Sequence, residues 1–229
     1  MAVTLNLEEM IMKIRNTVLS TLFLTMATFN APVLAAGTDV NITQSLAAVE
    51  VMHQGKTVRI ERVQDTDNML DPDFSLTSRP CPPFCIQPIT LGPGVETIGE
   101  LEMLDYLKKS GKDASILVID SRDGDWPQRA GMIPGAVLLP WQELHPTYTE
   151  PDKIAEILIF RFGATRQGGL WNFENAKTLV LYCNGPWCGQ SPTNIKQLMA
   201  MGYPAHKLKW YRGGVQDWKM LGLTTVTPK

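Results

Sequence analysis

The sequence lacks the features of a protein that binds nucleic acid or spans a membrane. Its 21 basic and 23 acidic side chains give a formal charge of -2 over 229 residues, and no lysine- or arginine-rich run is present. Nucleic acids are usually bound by clusters of such residues, so nucleic acid is not expected as a partner. The apolar stretch from Val18 to Phe29 is about a dozen residues, whereas a membrane-spanning helix needs about 20.

Cysteine and histidine are also scarce, with four and three copies. They show no closed zinc spacing, and no cofactor is expected. The cysteines form two close pairs, Cys81/Cys85 and Cys183/Cys188. Prolines keep the backbone extended around the first pair, so no helix is expected there. For Cys81 and Cys85, a local disulfide, a redox pair that exchanges with the second cysteines, and a metal site all remain open.

The N-terminal residues resemble an export signal. A short basic region at Met12–Arg15 precedes the apolar stretch, and Val33–Ala35 has the small-residue pattern that signal peptidases recognise. Residues 1–35 are therefore predicted to be a signal peptide, with Met12 as an alternative start because acidic residues precede it. The mature chain is expected in the periplasm or outside the cell, with no stable membrane insertion. Its cysteines would then meet oxidising conditions.

Residues 36–94 are expected to form an N-terminal extension. Within it, Ala48–Val51 and Thr57–Ile60 flank a short polar segment, which is typical of a β-hairpin. Residues 95–229 have a different pattern, in which short apolar runs alternate with amphipathic segments. Ile116–Ile119, for example, is typical of a central parallel strand.

Four helices are predicted between the strands of residues 95–229. The first carries a Thr97/Glu100 capping box, buries Leu101, Leu104 and Leu107, and ends at Gly111. The others are Pro151–Phe162, a helix capped by Ser191 that ends at Gly202, and Val215–Leu221, with a loop at Gly163–Asn175. The alternation predicts an α/β fold with an open parallel sheet and helices on both faces.

The most informative segment delivers a cysteine into a Gly/Pro-rich loop. The apolar run Thr178–Tyr182 ends at Cys183, the loop follows, and a helix begins near Ser191. This arrangement directs backbone N–H groups and a helix dipole at the sulfur, which favours the reactive thiolate. The candidate substrate-binding residues are Asn184, Gly185, Trp187, Gly189, Gln190 and Ser191.

Three blocks resemble, in order, signatures of the rhodanese-like sulfurtransferase family. The first is Ile119–Arg122 with Gly131–Ala136, and the second is the strand that ends at Cys183. The third is Tyr211–Val215, with Trp218 and Gly222 following it. The resemblance covers residues 95–223 and implies a rhodanese-like domain of the exported, single-domain type.

The resemblance implies a sulfurtransferase reaction at Cys183. The cysteine would take a sulfane sulfur, become a persulfide and pass the outer sulfur to a thiol or cyanide. Loop amides from Asn184 to Gly189 would hold the persulfide anion. The implied partners are a small-molecule or protein sulfur donor and a thiol acceptor, and Asp120 and Arg122 are expected to form a structural salt bridge.

The cysteine loop departs from the family pattern in its charge. It carries no arginine or lysine beside Cys183, although family members that prefer thiosulfate usually have one, so thiosulfate as the donor is in doubt. Gly189 stands where the phosphatase branch of the fold carries an arginine. Phosphate would lack a bidentate cation there, which disfavours phosphatase activity.

Cys188 leaves other interpretations open. It can attack a Cys183 persulfide, releasing sulfide and closing a disulfide, as in a thiol–disulfide redox protein. It can equally be a buried loop cysteine without a task. Trp187–Ser191 is also similar to a thioredoxin motif, but too few residues follow to complete that fold. A non-catalytic module that binds a partner is a third possibility. Four tryptophans outside the predicted core are expected to line the pocket mouth: Trp126, Trp141, Trp171 and Trp187.

Overall fold

A computed structural model describes residues 39–228, which belong to one compact unit. The predicted signal peptide lies outside these residues. None of the helices among them combines the length and the apolar character that crossing a membrane requires.

From residue 96 onward, the strands of the central sheet alternate with helical segments. The strands are β1 (Ala48–His53), β2 (Lys56–Glu61), β3 (Glu96–Ile98), β4 (Ile116–Asp120), β5 (Val137–Leu138), β6 (Thr165–Gln167), β7 (Leu170–Asn172), β8 (Thr178–Tyr182) and β9 (Leu208–Tyr211). The α-helices are α1 (Pro72–Ser75), α2 (Glu100–Ser110), α3 (Trp126–Ala130), α4 (Pro151–Glu156), α5 (Gln190–Ala200) and α6 (Gly214–Met220). Short 3-10 turns cover Trp141–Leu144 and Ala205–Lys207.

The central sheet confirms the predicted fold class. Among the described residues it has five strands in the order β3-β9-β8-β4-β5, and every neighbouring pair is parallel. The all-apolar runs of β4 and β8 form its middle, as expected for strands covered on both faces. From β4 the chain proceeds towards one edge of the sheet and from β8 towards the other. The crevice between the carboxyl ends of β4 and β8 is therefore the switch point where such sheets bind ligands.

Two hydrophobic clusters cover the faces of the sheet. One contains Val180 and Trp218, and the other contains Leu181 and Trp210, because neighbouring residues of a strand point to opposite faces. The predicted hairpin is present as β1 and β2, and Val51 packs in the same cluster as Leu107 of α2. The extension therefore contributes to the core beneath one face of the sheet.

The start of helix α2 differs from the prediction. Gly99 is the N-cap, and its N–H donates to Glu102 Oε2 at 3.1 Å, whereas Thr97 lies in β3. Pairing of β3 with β9 takes this segment into the sheet and moves the helix start two residues onward. As a result Leu101 is 52% exposed instead of buried, and Met103 packs in the core.

The segment from Pro151 to Asn175 also contains structure that the sequence pattern did not indicate. The predicted helix is α-helical only to Glu156, and a π-helical turn covers Ile157–Arg161. The predicted loop at Gly163–Asn175 contains the antiparallel hairpin β6–β7. These strands are only three residues each and largely exposed, so they show no hydrophobic alternation.

The end of β4 carries an ion pair that is fully buried. Arg122 donates from Nε to Asp120 Oδ1 at 2.9 Å and from Nη2 to Asp120 Oδ2 at 2.6 Å. Arg122 Nη2 also donates to the Gly131 carbonyl at 2.5 Å, and the hydroxyl of Tyr182 donates to Asp120 at 3.1 Å. Both charges are matched by partners that fill their hydrogen-bonding positions, which burial of an ion pair requires.

Removing one half of this pair is expected to destabilise the fold strongly. Arg122→Met leaves the Asp120 carboxylate buried without a cation, and we expect the free energy of unfolding to fall by about 3–5 kcal/mol in urea denaturation. Arg59→Met is the control, because the Arg59–Glu61 pair is exposed, and its loss should stay below about 1 kcal/mol. Equal losses in the two variants would contradict this account of the buried pair.

Candidate active site

Cys183 follows β8 directly and lies at the switch point beside the end of β4. The Ser121 amide donates to the Tyr182 carbonyl at 2.9 Å, which ties the two strand ends together. The loop from Asn184 to Gly189 then leads into α5. The thiol of Cys183 is only 2% exposed, so the loop encloses the sulfur.

The sulfur is surrounded mainly by hydrogen-bond donors. Ser191 Oγ donates to Cys183 Sγ at 3.1 Å, and the backbone amides of Asn184 and Ser191 also face it. One carbonyl, that of Cys188, lies 3.4 Å from Sγ, within reach of the thiol proton. The predicted amide cradle therefore exists in altered form: one amide comes from the start of the loop, at Asn184, and the other comes with a hydroxyl from Ser191 in the first turn of α5.

Ser191 has this role because it is not the cap of the helix. The sequence placed it at the N-cap, but Gly189 takes that position and α5 begins at Gln190. In the first turn of α5, the Ser191 hydroxyl points at the sulfur and also accepts a hydrogen bond from Trp210 Nε1 at 3.2 Å. Since the indole N–H fills an acceptor position, the hydroxyl proton is directed to Cys183.

The two free cysteines have opposite pKa shifts. Burial alone raises the pKa of Cys183, but hydrogen bonds from the Cys188 thiol, the Ser191 hydroxyl and the two amides outweigh it, and the net pKa is lowered. Burial raises the pKa of Cys188 well above its usual value, and contact with the Cys183 sulfur raises it further. Cys183 is therefore the first of the two thiols to lose its proton, and the negative charge of the pair then lies on Cys183.

Asp123 is a functional residue that the sequence reasoning missed. Its Oδ1 accepts from Gln190 Nε2, while Oδ2 accepts from Trp141 Nε1 at 2.9 Å. Because a carboxylate only accepts, the Gln190 amide must turn its oxygen the other way, so that Gln190 Oε1 lies 3.6 Å from Cys188 Sγ. Gln190, for which a substrate-binding role was expected, thus contacts both Asp123 and Cys188.

The family-like glycine pair after β9 supports the loop from below. Gly214 has φ +58°, and a Cβ there would collide with the Cys183 carbonyl oxygen. The close approach lets Val215 N–H donate to that carbonyl at 3.0 Å and Gln216 N–H donate to the Asn184 carbonyl at 2.8 Å. Only glycine permits both the left-handed backbone and the contact.

Arg122 is also connected to the loop. Its Nη1 donates to Asn184 Oδ1 at 3.4 Å, beyond its bonds to Asp120. The expected salt bridge between Asp120 and Arg122 is present, and Arg122 has a contact beyond it. The pair lies inside the fold, at the base of the cysteine loop, and helps to position Asn184.

The N-terminal extension covers the outer side of the loop. Cys81 and Cys85 form a disulfide, which agrees both with a local structural bridge and with a redox pair that exchanges with the second cysteines. Beyond it, Gln87 N–H donates to the Pro186 carbonyl at 2.8 Å, and Phe84 packs edge-on against Trp187 with ring centroids 5.5 Å apart. Arg212 Nη2 donates to the Gln87 carbonyl at 3.0 Å and fixes the segment further.

A family model of the rhodanese-like domain matches residues 103–221, slightly more than half of the chain. The chain belongs to the rhodanese-like domain family. The match includes the ion pair, the cysteine loop and the glycine pair described above. The extension with its disulfide lies before it.

Two solved structures are similar to part of this chain at low sequence identity. A protein of unknown function from Rhodopseudomonas palustris, described as a possible tyrosine phosphatase, is 20% identical with a TM-score of 0.40, over 59% of this chain and 87% of its own. A protein from Bacillus halodurans is 19% identical with a TM-score of 0.39, over 58% and 78%. No curated protein matches this chain.

The structure brings most of the predicted site residues of the rhodanese-like domain together. Cys183, Cys188, Asn184, Gln190 and Ser191 meet around the two sulfurs. The Gly185 carbonyl accepts from the Cys188 amide at 2.9 Å and so closes the turn, while Gly189 caps α5. Trp187 faces outward to the extension instead of the sulfur.

The predicted tryptophans separate into two groups. Trp126 packs near Trp187, with ring centroids 6.2 Å apart. Trp141 reaches the site only through Asp123, and Trp171 lies in the β6–β7 hairpin. The prediction that all four tryptophans line one pocket mouth is therefore wrong.

The hydroxyl of Ser191 is expected to control the reactivity of Cys183. Ser191→Ala removes a donor to the thiolate, so the pKa of Cys183 should rise, and alkylation at neutral pH should slow by about tenfold, the value of one hydrogen bond to a charged group. The measurement is the pH profile of alkylation in a Cys188→Ser background. Thr193→Val is the control, since Thr193 lies in the same helical turn but donates to the Gly189 carbonyl. An unchanged profile in Ser191→Ala would show that the amides alone hold the charge.

Proposed function

We propose that this rhodanese-like protein is an exported sulfurtransferase that carries sulfane sulfur as a persulfide on Cys183. The observation that supports this most directly is the set of donors around Cys183 Sγ at the switch point, which lowers the pKa of a buried thiol. A lowered pKa increases the fraction of thiolate, and the thiolate is the nucleophilic form of cysteine. Export rests on the sequence pattern of residues 1–35 and agrees with the Cys81–Cys85 disulfide.

The first step is attack of the Cys183 thiolate on the outer sulfur of a sulfane-sulfur donor. A new S–S bond forms on Cys183, and the donor's own S–S bond breaks. The remainder of the donor leaves with the electron pair, as sulfite from thiosulfate or as a thiolate from an organic persulfide. Cys183 becomes a persulfide, and the step needs no outside oxidant.

The surroundings of Cys183 fit a persulfide anion as well as a thiolate. The negative charge moves to the outer sulfur, and the groups proposed to hold it are the donors to Cys183 Sγ, namely the Ser191 hydroxyl and the amides of Asn184 and Ser191. Donors fixed by the start of α5 and by the loop do not need to reorganise when the charge moves. The Cys188 thiol is a further neutral donor beside the same sulfur.

The second step returns the cysteine to its starting state. An acceptor thiolate attacks the outer sulfur, the S–S bond to Cys183 breaks, and Cys183 leaves as the thiolate that its surroundings stabilise. Since Cys183 is 2% exposed, both donor and acceptor require the loop or the covering extension to move. The acceptor is therefore expected to be a small thiol or a thiol on a flexible protein segment.

Intact-mass measurement tests this proposal. The reduced protein, incubated with a persulfide donor or thiosulfate and then desalted, should gain one sulfur atom. The adduct should be absent in Cys183→Ser, present in Cys188→Ser, and lost when a thiol acceptor is added. Failure of the wild-type protein to gain sulfur from either donor would refute the proposal.

A second candidate function uses both cysteines, and the contact between their side chains favours it. Cys188 would attack the Cys183 sulfur of the persulfide. A Cys183–Cys188 disulfide would form, and hydrosulfide would leave with the electron pair. A dithiol reductant would then restore both thiols. The raised pKa of Cys188 opposes this step, because the attacking group must be a thiolate.

The lifetime of the persulfide separates the two functions. If Cys188 resolves it, Cys188→Ser should lengthen the persulfide lifetime by at least about tenfold and stop sulfide release in the absence of an acceptor. If transfer is the function, the lifetime should change little, since a thiol with a raised pKa is a poor nucleophile. Sulfide release and intact mass, followed together over time, distinguish these outcomes.

Phosphatase activity is not favoured by the site. One structural neighbour is described as a possible tyrosine phosphatase. In this chain the position of the phosphate-binding arginine is taken by Gly189, the cap of α5. Without a cation at that place, phosphate has no bidentate partner.

A further inference from the structure

A cavity of about 490 Å³ lies between the extension and the cysteine loop. Its walls include the Cys81–Cys85 disulfide, Phe84 and Arg79 from the extension, and Trp187 from the loop. Trp187 immediately precedes Cys188, so the cavity is adjacent to the loop that encloses the two sulfurs. The sulfur chemistry proposed above does not by itself use this space.

Arg79 contributes a positively charged side chain to the wall of this cavity. Its guanidinium carbon lies 4.3 Å from the ring centroid of Trp187, and the centroids of Phe84 and Trp126 are at 5.5 and 5.9 Å. Stacking on aromatic faces fixes the plane of a guanidinium and leaves its N–H groups, which lie in that plane, available to a ligand. The extension thus places a positive charge against the outer face of the loop.

The hydrogen-bonding capacity of Arg79 is largely unused. One N–H group, on Nη2, donates to the Asp73 carbonyl, whereas Nε is buried and has no hydrogen-bond partner. Within residues 39–228, no carboxylate lies within 4.0 Å of Arg79 to form an ion pair. A guanidinium has five N–H donors, so this one has room for an oxyanion.

We propose that Arg79 binds the anionic group of the sulfur donor in this cavity, and this rests on the sulfurtransferase function proposed above. The loop carries no basic residue beside Cys183, and Arg79 supplies the missing charge from a different part of the chain. The ligand class is a small sulfane-sulfur compound with an oxyanion group. The sulfonate end of thiosulfate and the carboxylate of an organic persulfide share this chemistry, and the apolar walls formed by Phe84 and Trp187 favour the organic one.

Binding can be measured without turnover in the Cys183→Ser variant. Thiosulfate, and separately a carboxylate-bearing organic trisulfide, are titrated while the Nε–H resonance of Arg79 and the indole N–H of Trp187 are followed by NMR. We expect saturable shifts of both resonances that weaken as salt is added, with tighter binding of the trisulfide. Absence of a saturable shift at Arg79 with either compound would overturn the proposal, and tighter binding of thiosulfate would overturn the preference for an organic donor.

Substitutions at Arg79 test the charge itself. Arg79→Gln should weaken anion binding by at least about tenfold, and Arg79→Lys should recover part of it as a point charge. Arg166→Gln is the matched control, since Arg166 stacks on Trp171 at 5.2 Å in another part of the fold and should have no effect. If Arg79→Gln does not fold, the titrations of the wild-type residue and of Arg79→Lys still test whether Arg79 binds the anion. Unchanged affinity in a folded Arg79→Gln would refute the role of Arg79.

Steady-state kinetics separate this inference from the function on which it rests. Arg79→Gln should raise KM for the anionic donors by at least about tenfold, leave kcat little changed, and not affect an uncharged dialkyl trisulfide. Equal KM values in wild type and Arg79→Gln would remove the donor site but leave sulfur transfer intact. Saturable anion binding in a protein that never gains sulfur would instead refute the sulfurtransferase function and keep Arg79 as an anion site.

Discussion

The hydrogen bonds that converge on Cys183 Sγ are the constraint on which the site depends. Burial alone would keep this thiol neutral and inert, because a buried anion is costly unless donors surround it. The hydroxyl of Ser191 and the amides of Asn184 and Ser191 reverse that preference. Each donor is useful only if the loop keeps one conformation. Most of the contacts around the loop fix that conformation.

Three separate parts of the chain hold the loop. Arg122, paired with Asp120, fixes Asn184 from the end of β4, and Gly214 permits α6 to approach the Cys183 carbonyl. The extension closes the outer side through Gln87 and Phe84. Since these contacts reach both faces of the loop, they keep the donors to Cys183 in place although the loop itself carries no basic residue.

The sequence predicted the fold well because its strongest signals were apolar runs and special glycines. The positions of β4 and β8 and the end of α2 at Gly111 follow from such signals. The start of α2 was missed because a strand that pairs far along the chain took Thr97, which no local pattern reveals. The β6–β7 hairpin was missed because both of its strands are short and exposed.

The sequence predicted a site residue only where a reactive side chain stands next to a recognisable element, such as a strand end or a short loop. Cys183 was identifiable because a thiol follows a buried strand, and the proximity of Cys188 followed from the short loop. The roles of Asp123 and Arg79 depend on contacts with residues 67 and 108 positions away, Gln190 and Trp187. Sequence periodicity carries no information about such pairs, so only the folded chain identifies them.

The two cysteine pairs occupy opposite oxidation states within one compact unit. Cys81 and Cys85 are joined, while Cys183 and Cys188 remain thiols beneath the segment that follows the joined pair. An environment that oxidises the first pair also threatens the second. Because Cys183 and Cys188 are enclosed, oxidants reach them slowly. The same surroundings that limit access for sulfur donors therefore allow the two thiols to stay reduced under oxidising conditions.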